Sequence, residues 1–102
     1  MTNLPASLLD RIRNLARGYD VERVILFGSR ARGDARPKSD IDLAVFAGPS
    51  FTQPGRLAAE VEELPTLLDV DLVFVDEAIG PRIMDRIARE GVVIYERSDG
   101  KA

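Results

Sequence analysis

The sequence predicts an α/β (α+β) fold, one small mixed β-sheet with helices packed against it, on three observations. Four short apolar runs rich in branched residues, Val24–Phe27, Asp40–Phe46, Val70–Val75 and Val92–Tyr95, alternate with stretches of helical periodicity. The length of 102 residues accommodates a single domain, 1–102, and no second one. Between the first two runs, a Gly-Ser turn and a broken polar stretch leave too little chain for a crossover helix, which takes about a dozen residues or more. Those two strands are therefore expected to be antiparallel, and the domain a two-layer sandwich.

Each element has its own warrant. From about Pro5 to Arg17, Leu8, Leu9, Ile12, Leu15 and Ala16 form one apolar stripe, with Gly18 as terminator. Val24–Phe27 has no polar alternation and reads as a central strand buried on both faces. Arg30 to Lys38, broken by Gly33 and Pro37, holds at most a turn or two of helix. Asp40 to Phe46 alternates at period two, with Ile41, Leu43 and Val45 on one face. The Pro- and Gly-rich stretch from Ala47 to Gly55 is a loop, and Leu57, Val61 and Leu64 then mark a helix from Arg56 to about Leu64, stopped by Pro65. A third strand covers Val70–Val75. Pro81 opens a last helix to Glu90, with Ile83, Met84 and Ile87 inward and Gly91 closing it. Val92–Tyr95 is the final strand, and residues 96–102 read as a flexible polar tail.

Composition narrows the chemistry. With 45% hydrophobic and 30% charged residues the chain can bury a core, which excludes general disorder. No apolar run approaches the ~20 residues of a membrane span, and the charges among the first twenty residues disfavour a signal peptide, so a cytoplasmic protein is expected. Neither cysteine nor histidine occurs, which removes thiolate and imidazole chemistry and leaves carboxylates as metal ligands. Any metal should then be a hard, oxygen-seeking one such as Mg²⁺. A net charge of −3 argues against a dedicated nucleic-acid binder, although 12 of the 14 basic residues are arginine.

Polar groups collect at the strand ends. Gly28-Ser29 follows a buried strand, where glycine admits close approach of a phosphate and the Ser29 hydroxyl adds a donor. Asp40 and Asp42 share a strand face about 6–7 Å apart, and a divalent cation would relieve their repulsion. Taken alone, an Asp-x-Asp is more often solvated than metal-binding. Asp69 and Asp71 also share a face, so alternation does not choose between them. Asp71, flanked by apolar strand residues, is preferred as a third ligand and Asp69 as a turn residue. Tyr19, Tyr95 and Phe46 read as core-edge aromatics, and Arg36 and Lys38 as solvated.

The segment GSRARGDARPKSDIDL resembles the signature of the DNA polymerase beta-like nucleotidyltransferases: Gly-Ser, ten residues, then Asp-x-Asp. The compact length is similar to that of the minimal nucleotidyltransferases, often encoded beside a HEPN-domain protein. The resemblance implies Asp40, Asp42 and Asp71 as catalytic and metal-binding residues, two Mg²⁺ ions, and ATP as substrate. It implies Gly28, Ser29 and Arg30 at the triphosphate, with Arg32 a weaker candidate than Arg30. The implied reaction is transfer of a nucleoside monophosphate, AMP, to a hydroxyl, with a tyrosine of a HEPN toxin as acceptor and this chain as antitoxin. A non-catalytic nucleotide-binding or partner-neutralising module is the alternative, disfavoured by the complete acidic triad. Self-association would be one way for so small a domain to cover apolar surface.

Overall fold

Branched apolar runs and helical stripes settle into eight elements in the computed structural model, which describes residues 4–75 and 79–97. In chain order they are α1 (Ala6–Arg17), β1 (Val21–Phe27), α2 (Ser29–Arg32), β2 (Ile41–Ala47), α3 (Pro54–Glu62), β3 (Val70–Val75), α4 (Pro81–Glu90) and β4 (Val92–Glu96). The strands form one sheet in the order β3-β2-β1-β4. β1 runs antiparallel to both β2 and β4, whereas β2 and β3 are parallel, so the sheet is mixed as the short β1–β2 connection requires. The longer β2–β3 connection carries α3 as its crossover helix.

Packing departs from the expected two layers. On one sheet face, Leu8, Ile12 and Ala16 of α1 and Leu57 and Val61 of α3 bury Val24, Leu26, Ile41, Leu43, Val45 and Ile94. On the other, Ile87 of α4 covers Ile25, Phe27 and Ala44, joined by partly buried Phe46, Val73, Ile83 and Met84. The result is three layers. The cause is the unbroken apolar run of β1, which presents side chains to both faces and needs cover on each. Leu64 is still buried beyond the end of α3.

One end of the sheet extends further than expected. β1 begins at Val21, which is fully buried and pairs with Ala47, although the polar Glu22 and Arg23 follow it. Glu96 belongs to β4, and the Arg97 amide donates to the Glu22 carbonyl at 2.9 Å. The Arg97 guanidinium pairs with Asp20, whose carboxylate also accepts from the Ser50 amide at 2.6 Å. Positions 96 and 97 are thus ordered sheet edge and not tail, and 98–102 lie outside the described residues. Among the described residues, no helix is long and apolar enough to cross a membrane.

Candidate active site

β1 delivers the chain, buried up to Phe27, into Gly28 at φ 80° and ψ −161°. That backbone region is essentially confined to glycine. Space makes the same demand, because a Cβ here would overlap Asp42 Oδ2 and stand 3.3 Å from its Cγ. The Gly28 carbonyl accepts from the amides of Ala31 and Arg32, each at 3.0 Å, so Ser29 opens the single turn of α2. Ser29 is half-buried, and Gly33 ends the turn at φ 89°.

Asp42 enters from the neighbouring strand. It pairs with Phe27 across the β1–β2 ladder and lies in register with Asp71 across the parallel β2–β3 pair. With strands about 4.8 Å apart, their side chains rise side by side on the α4 face of the sheet. Burial raises the Asp42 pKa above its ordinary value, and Asp71, then Asp40 and Glu90, push the same way, while Arg86 opposes them. Asp40 lies one residue before β2 and is exposed, as is Asp71. Asp69 lies two residues back from Asp71, and its backbone carbonyl accepts from the Ile41 amide at 2.9 Å.

The structure therefore ranks Asp71 closer to Asp42 than Asp69, without drawing three acids into a cage. Among the described residues, no group of three such side chains stands ready to hold a metal ion. The donor chemistry nonetheless fits Mg²⁺: the carboxylates around Asp42 are all-oxygen ligands, and their mutual repulsion is what a divalent cation relieves.

Arg30 directs its side chain away from the turn. Expected at a triphosphate, its side chain is instead buried, and its guanidinium donates to the carbonyls of Arg36, Pro37 and Ser39 at 3.1–3.2 Å. It braces the loop that leads into Asp40. The cations facing the turn are Arg32 and Arg86, and between them stands Glu90, whose carboxylate accepts from the Gly28 amide at 3.0 Å. Arg86 also lies 5.3 Å over the Phe27 ring. Sequence reading missed both α4 residues. Their i,i+4 spacing was visible, but it is equally that of the exposed Asp85–Arg89 pair on the same helix.

Residues 10–100 match the sequence model of the family described as polymerase beta, nucleotidyltransferase. Among solved structures, one named as a candidate minimal nucleotidyltransferase is 32% identical, with a TM-score of 0.69 over 84% of this chain and 88% of that one. A toxin–antitoxin structure with AMP-PNP is 23% identical, with a TM-score of 0.65 over 88% of this chain and 74% of that one. A complex of tri-AMPylated Shewanella oneidensis HEPN toxin with MNT antitoxin is 21% identical, with a TM-score of 0.59 over 89% of this chain and 71% of that one. At those last two identities the likeness is one of fold. No curated protein matches the chain.

Proposed function

The chain belongs to the polymerase beta nucleotidyltransferase family, and on that premise we propose that it transfers AMP from ATP to a hydroxyl of a protein partner. The observation that carries this reading is the register of Asp42 with Asp71 directly beside the glycine turn at Gly28-Ser29. Asp40, Asp42 and Asp71 are the residues that would hold Mg²⁺, which when bound neutralises triphosphate charge and acidifies an attacking hydroxyl.

The chain's own groups have separable tasks. Gly28, lacking a side chain, leaves the phosphates access to the backbone, and the Ser29 hydroxyl donates to a phosphate oxygen. Asp71, exposed on an edge strand, can meet an acceptor from outside and take its hydroxyl proton. The acceptor oxygen then bonds to the α-phosphorus while the bond to the bridging oxygen breaks and pyrophosphate leaves. Arg30 acts at one remove by fixing the loop before Asp40.

We infer that a second protein presents the acceptor hydroxyl. The AMPylated HEPN toxin bound to the MNT antitoxin supports a HEPN-domain protein as that partner, its tyrosine as acceptor, and an antitoxin role here. The alternative, a module that neutralises its partner by contact, draws on the absence of a ready metal cage among the described residues. Intact-mass measurement of a HEPN-domain partner after incubation with this chain, ATP and Mg²⁺ decides between them. AMP increments that vanish with Asp42→Asn are expected; their absence with every nucleotide tried would leave the contact module.

A further inference from the structure

Glu90 occupies an anion position that three elements build. Its Oε1 accepts from the Gly28 amide at 3.0 Å and lies 3.7 Å from Arg86 Nε, while Oε2 lies 3.1 Å from Arg32 Nη1. The turn after β1, α2 and α4 each contribute one donor, and the carboxylate they enclose is only 18% exposed. Arg86 of α4 lies against the turn, its Nη2 3.6 Å from where a Cβ on Gly28 would stand.

Two guanidiniums and a backbone amide form a donor set suited to an oxygen-rich anion carrying more than one charge. A carboxylate fills it with a single charge, and does so next to Asp42, whose ionised form Glu90 disfavours. The occupant is thus held by its donors and repelled by its neighbour.

We propose that Glu90 is a stand-in for a substrate phosphoryl group. An incoming polyphosphate displaces its carboxylate from the Gly28 amide, takes over Arg32 and Arg86, and leaves the freed carboxylate to solvent. Arg32 keeps a second partner in Asp34 at 3.2 Å, and Arg86 keeps its place over the Phe27 ring. Because displacement must overcome three contacts at once, the device favours polyphosphates over a single phosphate. This inference rests on the nucleotide-transfer reading and deepens it.

The test is calorimetry with magnesium tripolyphosphate on the unaltered chain and on Glu90→Gln, which keeps the shape and drops the charge. Removing the competitor should tighten binding by about tenfold, the scale of one charged hydrogen bond. Nuclear magnetic resonance of the unaltered chain supplies a second reading independent of any variant's folding. At saturation the Glu90 side-chain carboxyl should move to its free-solution position, and the Gly28 amide should shift with it. Binding by the unaltered chain with Glu90 unmoved, or with no gain in Glu90→Gln, overturns this inference alone and makes Glu90 a strut between α4 and the turn. Failure of both proteins to bind overturns it together with the nucleotide reading.

Discussion

Replacing Gly28 with alanine separates two costs that the structure superimposes at one position. The first is conformational: φ 80° with ψ −161° is a region that costs a side-chain-bearing residue about 1–3 kcal/mol. The second is steric, since the new Cβ would overlap Asp42 Oδ2, and crowding in a packed site costs about 1–3 kcal/mol more. Together they give roughly 2–6 kcal/mol, a large share of the ~5–15 kcal/mol that holds a domain folded. At about 4–8 °C per kcal/mol, the melting temperature should fall by at least ~8 °C. Gly33 is the control. It also has a positive φ, 89°, but nothing within 4 Å of its virtual Cβ, so Gly33→Ala should cost only about 1–2 kcal/mol. Thermal and urea melts of both variants, with the cycle Gly28→Ala, Asp42→Ala and their double, measure the two parts. The double should recover about 1–3 kcal/mol, the steric share. Equal costs at Gly28 and Gly33, or no recovery in the double, would refute the overlap and with it the claim that Asp42 presses on the turn.

The remaining predictions concern the carboxylates and the loop. Asp42→Asn should abolish AMP transfer yet stabilise the fold near neutral pH, because burial and Asp71 hold the Asp42 pKa above its ordinary value. The sign follows from linkage: a raised folded pKa costs nothing below the ordinary carboxylate range and costs stability as pH rises through it, so the gain should fade in urea melts near pH 3. Asp71→Asn should stop transfer while nucleotide affinity by calorimetry stays within about threefold, whereas Asp69→Asn should leave both unchanged; a dead Asp69 variant beside an active Asp71 variant would reverse the assignment. Arg30→Gln should cost about 2–3 kcal/mol in urea melts, by stripping charged donors from the carbonyls of Arg36, Pro37 and Ser39. A neutral result would mean that the loop before Asp40 holds itself.

What the sequence revealed follows the range of its signals. Helices α1 and α4 were legible because stripes such as Ile83-Met84-Ile87 repeat within one element, and β3 because its apolar run has clear bounds. β1 read short, since Glu22 and Arg23 interrupt its pattern while the ladder to β2 carries on past them. The Gly-Ser-to-Asp spacing was local enough to point at Gly28, Ser29, Asp40 and Asp42. The preference for Asp71 over Asp69 rested on apolar flanks alone, because the parallel register that sets Asp71 beside Asp42 is a property of two strands and not of one. Arg30 and Glu90 were out of reach for a similar reason: Arg30 donates to carbonyls, which every residue has, and Glu90 lies 62 residues from the amide it accepts from.

The placing of β4 beside β1 sets the order in which this protein can be assembled. β1 sits in the middle of the sheet, yet its second neighbour, residues 92–96, follows every other described strand in the sequence. A nascent chain emerging from the ribosome can close the β1–β2 ladder early, because only the short α2 segment intervenes. Until β4 arrives, the other edge of β1 offers unpaired amides and carbonyls flanked by apolar side chains, a template for pairing with a second chain. Arg97, tying the end of β4 to Asp20 and Glu22, then works as a latch that closes only once β4 has been made. Contacts across so long a stretch of sequence make folding slow relative to a helical bundle of this size, and they place the interval of greatest aggregation risk before the last strand docks.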